Sequence, residues 1–354
     1  MEIDGKLIGK NAPCYFIADI AANHDGELSR AIDLIWKAAD SGANAAKFQH
    51  FTAKSIVSDF GFKNLEKKSS HQAKWNKSVY DTYADAALEL DWTPILRDEC
   101  AKAGISFFTS PYSVELVDAV DPYVPAFKIG SGDITWHGII KHIASKGKPY
   151  ILATGASNMH EVEAAVEVAK PINSQLAILQ CNTNYTGNIE NMRFIQLNVL
   201  KEYRKKFPDL ILGLSDHTPG HATVLGAVAL GGKIVEKHFT DDAKRTGPDH
   251  AFSMTPQSWS DMVERTRELE AALGTSEKKI ESNETETVVL QRRAIRLKKT
   301  MNSGDKITSE ATEFLRPCPT GAYAPNDLDQ LIGKRVLKGK AIGDCLFPED
   351  VEAS

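Results

Sequence analysis

Residues 15–49 read YFIADIAANHDGELSRAIDLIWKAADSGANAAKFQ. The stretch opens on an apolar, β-rich run, Tyr15–Asp19, and crosses a polar turn at Asn23–Gly26. Over Ser29–Ser41 it shows apolar residues at helical spacing, with Ile32, Ile35, Trp36 and Ala39 on one face and Gly42 as the stop. It closes on a second β-rich run, Ala45–Gln49. Strands joined through a helix pair in parallel with right-handed crossovers. The unit recurs outward from this point: further runs fall at Ile105–Thr109, Ala126–Ile129, Tyr150–Ala153, Leu176–Gln180, Leu210–Leu214 and Ile234–His238, with helical patterns such as Met159–Lys170 between them. Eight such runs before residue 240 predict an α/β fold of the (β/α)8 TIM-barrel type. A doubly wound open sheet is the rival, and the lack of a GxGxxG after the first run weakens its dinucleotide-binding form.

After Trp259–Leu273, read as the last helix, the composition changes to GTSEKKIESNETET over Gly274–Thr287. Beyond it the pattern Lys299-TMNS-Gly-Asp305-KITS-Glu310 recurs 39 residues later as Lys338-GKAI-Gly-Asp344-CLFP-Glu349. Gly-Asp pairs mark tight turns between short strands, so the tail reads as a small β domain of two related hairpins. The expected organisation is a barrel over residues 1–275, a linker over 276–290 and a β-rich domain over 291–354.

The chain has 354 residues, 42 Lys+Arg against 47 Asp+Glu, and a net charge of −5. A balanced, slightly acidic chain lacks the basic surplus of a general nucleic-acid binder. No apolar run reaches the ~18–20 residues of a membrane span, and residues 1–10 hold no apolar secretory core. Five widely spaced cysteines without a CxxC suggest neither a disulfide framework nor a zinc ribbon. The expectation is a cytoplasmic protein with reduced thiols.

In such a barrel, catalytic groups gather at the C-terminal ends of the strands. Here each end carries a polar cluster: Asp19 to His24, Lys47-Phe-Gln49, Thr109-Ser110-Pro111, Lys128 to Asp133, Thr154-Gly155, Asn182 to Tyr185, Ser215-Asp216-His217 and Glu236-Lys237-His238. His217 and His238 end neighbouring strands and suit one divalent ion, with hydrogen-bonded barrel histidines as the alternative. Lys47 and Lys128, accompanied by Ser131-Gly132, Thr109-Ser110 and Thr154-Gly155, suit an anion; the alternative pairs them with Asp19, Asp133 or Glu236. Asp19, Asp133, Glu236 and Asp249 are candidate acid–base or hydroxyl-binding carboxylates. Arg245–His250 reads either as a lid or as solvated loop charges. Arg316, in Leu-Arg-Pro of the tail, carries no role on these grounds alone.

Asn23-His24-Asp25-Gly26, Lys128-Ile-Gly-Ser-Gly, Gly213-Leu-Ser-Asp-His217, Glu236-Lys-His238-Phe-Thr and Gly247-Pro-Asp249 together resemble the N-acetylneuraminate (sialic acid) synthases, with the related legionaminate and pseudaminate synthases. The tail resembles their C-terminal antifreeze-like (SAF) domain. The resemblance implies condensation of phosphoenolpyruvate with an open-chain N-acyl hexosamine, such as N-acetylmannosamine, to a nine-carbon 2-keto acid and phosphate. It implies a divalent ion, Mn2+ or Mg2+, on His217 and His238, with Asp19, Asp133 and both histidines catalytic. It matches Lys47, Ser110, Lys128, Ser131 and Ser215 to phosphoenolpyruvate contacts, and Gln49, Tyr185 and Asp249 to aldose contacts. Arg316 matches an arginine donated by the partner's tail, implying a homodimer with swapped SAF domains. Asp19 and Asp133 stand where the family commonly has Glu, each about 1.5 Å shorter in reach; Ala153 stands at a usual serine, and Thr183 near a usual Asn or Ser. Either a pocket reshaped for another aldose or a water filling the gap is the expectation. Octulosonate and heptulosonate phosphate synthases, a metal-dependent barrel hydrolase and a non-catalytic sugar-acid sensor are the rivals.

Overall fold

Val, Ile, Phe and Ala dominate the short runs, and each of them forms a strand buried on both faces, as parallel barrel strands require. The computed structural model describes residues 1–65, 72, 75 and 77–353. A short antiparallel hairpin, β1 (Glu2–Ile3) and β2 (Lys6–Leu7), comes first. The barrel strands follow: β3 (Tyr15–Asp19), β4 (Ala45–His50), β5 (Ser106–Pro111), β6 (Phe127–Ile129), β7 (Tyr150–Ala153), β8 (Leu176–Cys181), β9 (Ile211–Asp216) and β10 (Ile234–His238). They pair in sequence order, all parallel, and β10 closes on β3 with His238 beside Asp19. The eight-stranded barrel read from the sequence is therefore present, and the open sheet is excluded.

Period-two alternation divides the core. Outward residues such as Phe16, Phe48, Phe127, Leu152 and Ile178 pack under the helices. Inward residues near the strand starts, including Tyr15, Ile17, Phe108, Ile151, Leu179 and Ile234, fill the barrel together with Ile3 and Ile8 of the N-terminal hairpin. Gly213 is required here: a Cβ on it would lie 2.2 Å from the Ile234 carbonyl oxygen and 2.5 Å from Leu179. The helix of the opening stretch spans Leu28–Asp40 but buries Ala31, Leu34, Ile35 and Ala38, whereas Trp36 is exposed. The expected face was thus turned by about one position, because the small alanines, not the tryptophan, fit against the strands. Gly42, at φ +90°, ends the helix as expected.

The chain divides into two units, Met1–Gly274 and Thr275–Ser354. Residues 276–290, read as a linker, are corrected in part: Thr285–Gln291 is helical and belongs to the second unit. A 3-10 turn, Ser282–Glu284, leads into it, and the Val289 carbonyl accepts a hydrogen bond from the Cys318 N–H at 2.9 Å. The polar composition concealed a short helix that the rest of the unit holds.

In that unit β11 (Ala294–Leu297) pairs antiparallel with β12 (Thr312–Leu315). The internal repeat is visible in space. Met301 and Lys340, 39 residues apart, exchange two backbone hydrogen bonds of 2.9 Å. Asp305 and Asp344 each accept a backbone N–H three residues back, at 2.8 Å. Gly304 and Gly343 both adopt positive φ, at +89° and +88°.

Candidate active site

Inward alternation brings Asp19 of β3, Lys47 and Gln49 of β4, Ser110 of β5, Lys128 of β6, Cys181 of β8, Ser215 of β9, and Glu236 and His238 of β10 to one mouth. With Ser131, Asp133, Tyr185, His217 and Asp249 from the following loops they line a cavity of about 400 Å3. Arg316 belongs to the second unit, where it is exposed. The same alternation removes two hydroxyls. Thr109 faces outward to His50, and Thr154 faces outward to the Leu179 carbonyl and Tyr203.

The two lysines are paired as well as convergent. Lys47 Nζ lies 2.8 Å from Asp19 Oδ2, its register neighbour, and Lys128 Nζ lies 3.4 Å from Glu236 Oε1 across the barrel. Ser215 donates to the same Glu236 oxygen at 3.2 Å. Burial works against a charge on Lys47, but Asp19 and Glu236 outweigh it and hold its pKa above the ordinary value.

Five buried polar atoms of this mouth have no hydrogen-bond partner: Asp19 Oδ1, Ser110 Oγ, Thr183 Oγ1, Glu236 Oε2 and His238 Nδ1. Folded proteins seldom leave such groups unsatisfied. Their convergence marks a place built for something polar. Burial raises Asp133 to about 6 against the pull of Lys128, and raises Asp249 to about 6 although Ala22 N–H donates to it at 3.2 Å. Burial, then the charges of His217 and Lys47, push His238 well below the usual imidazole value. Burial opposes charge on His217 too, but contact with the Cys181 thiol raises it.

The loop Arg245–His250 is tied down. Arg245 pairs with Asp25 at 3.0 Å, and buried His250 bonds the same carboxylate at 2.9 Å. Pro248 and Asp249 are thereby held over the cavity.

Several lining residues escaped sequence reading. Tyr112 lies two positions beyond Ser110, so extending the alternation finds it. Phe51, Ile56, Gln72, Trp75 and Tyr83 come from the excursion between β4 and β5, which follows neither strand nor barrel-helix periodicity.

Residues 34–278 match the NeuB family. The chain belongs to the NeuB family. It is an enzyme of that family, a C–C bond-forming transferase. It is 32% identical, over 99% of both chains, to the N,N'-diacetyllegionaminic acid synthase of Legionella pneumophila. It is 31% identical to the N-acetylneuraminate-9-phosphate synthase of Mus musculus, over 99% of this chain and 96% of that one. Among solved structures, the N-acetylneuraminic acid synthetase of Leptospira borgpetersenii, in complex with citrate, superposes with a TM-score of 0.71 at 28% identity, covering 81% of this chain and 94% of that one.

A divalent ion is what this family implies, and the NeuB-type mouth fits one. The His217 and His238 ring centroids are 5.4 Å apart. His217 Nδ1 is oriented by the Asn182 carbonyl at 3.1 Å, and neutral His238 has an unpartnered Nδ1. Among the described residues no three His, Cys, Asp or Glu side chains form a closed cluster. No helix among the described residues is long and apolar enough to cross a membrane.

Proposed function

We propose that this chain is a nonulosonic acid synthase that joins phosphoenolpyruvate to the open-chain form of an N-acyl hexosamine, forming a 2-keto acid and phosphate. The observation that carries it is the convergence of two buried, carboxylate-paired lysines and two imidazoles on one mouth that also holds five unsatisfied polar atoms. Lys47, Lys128, Ser110, Ser131 and Ser215 bind the phosphate and carboxylate of phosphoenolpyruvate. Gln49, Tyr185 and Asp249 hold the aldose with its aldehyde against C3. A divalent ion on His217 and His238 supplies Lewis acidity toward that aldehyde. Attack by C3 forms the carbon–carbon bond and leaves cationic character at C2, which water quenches. Asp133, with its pKa near 6, takes one proton of that water, and the alkoxide formed from the aldehyde takes up a proton to become the hydroxyl; collapse of the tetrahedral intermediate then breaks the C2–O bond to phosphate, which leaves with the second water proton, and yields the ketone. Asp19 orients Lys47 and lies 3.5 Å from His238, so it holds both halves of the site in register.

The aldose of this reading is N-acetylmannosamine. A 2,4-diacetamido sugar is the second reading, favoured by the 32% identity to the Legionella enzyme. The test is phosphate release over a panel: N-acetylmannosamine, its 6-phosphate, mannose and a 2,4-diacetamido hexose. Release with an N-acyl sugar, lost on chelation and restored by Mn2+, is expected. Silence across the panel overturns the reading in favour of a sugar-acid sensor.

The reading also takes the second unit as an antifreeze-like (SAF) domain that, in a homodimer, presents Arg316 to the N-acyl group in the other subunit's mouth; the Leu-Arg-Pro resemblance supports it. Co-expressing Arg316→Ala with Lys47→Met chains tests this. Each variant alone should be inactive, whereas hybrids should regain up to half the activity at the one mouth that carries neither defect. Hybrids that stay silent exclude the exchange.

A further inference from the structure

Directly behind the two imidazoles lies an ion pair that the chemistry above does not use. His217 and His238 face the cavity, so their sequence neighbours Asp216 and Lys237 face the opposite way, under the helix Ala222–Ala229. Asp216 and Lys237 are register partners on β9 and β10. Lys237 Nζ lies 2.5 Å from Asp216 Oδ2 and donates to the Thr218 carbonyl at 2.6 Å. Asp216 also accepts from Thr218 N–H at 3.2 Å, Thr218 Oγ1 at 2.8 Å and Thr223 Oγ1 at 2.7 Å. The side chains are 1% and 0% exposed.

Much of the outward layer elsewhere is apolar, with His50, Thr109 and Thr154 among the exceptions. Ala18, Phe48, Ile129, Leu152 and Val235 occupy comparable positions beneath the helices. A buried ion pair contributes little net stability relative to an apolar pair of the same volume, but it is directional. This one ties the end of β9, the turn after it and the first turn of the next helix to the penultimate residue of β10. Sliding one strand end against the other would break at least the ion pair and the carbonyl bond together.

We infer that Asp216 and Lys237 are positioning residues, which set the separation and aim of the His217 and His238 imidazoles and thereby the affinity for a divalent ion. The metal part of this inference rests on the proposed use of that ion; the geometric part does not. Lys237→Met alone would strand a buried carboxylate and endanger folding. The informative variant is Asp216→Asn with Lys237→Met, which removes both charges and keeps hydrogen-bonding capacity toward Thr218 and Thr223.

Two measurements decide it, on full-length protein shown to be folded by circular dichroism. In titrations with Mn2+ alone, followed by electron paramagnetic resonance, the double variant should bind about 10–100-fold more weakly than the parent, the usual cost of losing support behind a metal ligand. Lys237→Arg, which keeps the charge, should recover part of that loss. In a crystal structure of the double variant, the imidazole separation should depart from 5.4 Å or the rings should turn. A purely structural pair would lower the melting temperature and move neither readout. Unchanged Mn2+ affinity, or rings still at their parental separation and orientation, overturns the inference. A parent chain that binds no Mn2+ instead retires the proposed use of the metal and leaves the crystal structure to decide.

Discussion

The lower and upper halves of the barrel interior are built on the same strands, two residues apart, and are opposites. Below, Tyr15, Ile17, Phe108, Ile151, Ala177, Leu179 and Ile234 close an apolar layer. One inward step up, Asp19, Lys47, Ser110, Lys128, Ala153, Cys181, Ser215 and Glu236 form the floor of the cavity. The lower layer buries carbon and satisfies itself; the upper layer buries charge and leaves polar atoms unpartnered. Stability and chemistry are thus separated along each strand, and the alternation that places one places the other.

That separation breaks if damage below impairs chemistry or damage above impairs folding. Phe108 is fully buried and stacks on Tyr15 at 6.2 Å. Phe108→Ala should cost about 3–5 kcal/mol of stability, read by urea denaturation. The folded enzyme should keep its KM for phosphoenolpyruvate. His238→Gln should do the reverse. It should lower the rate of phosphate release by about 10²–10³, while stability stays within about 1 kcal/mol of the parent, since the ring's Nδ1 has no partner to lose. A His238→Gln protein that melts like Phe108→Ala would show that the mouth is part of the structural core.

The lower half and the strand ends were legible because period-two and period-3.6 patterns are local. Strands Tyr15–Asp19, Tyr150–Ala153 and Ile234–His238 form at the expected residues, and the others differ by one or two residues at one or both ends. What was not legible depends on register and closure. The sequence offered Glu236 as one of three carboxylate partners for the two lysines; that Lys128 is the one to meet it is decided by the barrel folding back on itself. The excursion between β4 and β5 was missed because its helices Ala53–Ile56, Asp59–Lys63 and Val79–Asp85 are too short to show a period. The neighbouring positions 66–71, part of the same unread excursion, lie outside the described residues. The directions of Thr109 and Thr154 were available from alternation, had it been applied residue by residue.

The histidines sharpen the contrast further, through pH. His50 faces outward and shares hydrogen bonds with Thr109 at 2.6 Å and Thr93 at 2.8 Å. Burial lowers its pKa to about 4, from an ordinary value of 6.5. The folded chain therefore keeps it neutral where the unfolded chain takes up a proton. Its contribution is fully present above pH 6.5 and is lost as pH falls from 6.5 through 4, by about 3 kcal/mol in all. Asp133 has the opposite sign: its folded pKa, raised to about 6, favours the folded state as pH falls from 6 toward 4. The two slopes oppose each other in the parent chain, so the parent's acid profile alone is uninformative. The difference between the parent and His50→Gln removes the shared carboxyl contribution. Chemical denaturation at pH 7, 6, 5 and 4 should show the parent losing up to about 3 kcal/mol more than the variant across that range, nearly all of it below pH 6.5. Parallel profiles would mean that His50 titrates normally, and that the polar contacts of the outer layer are as open to protons as those of the mouth.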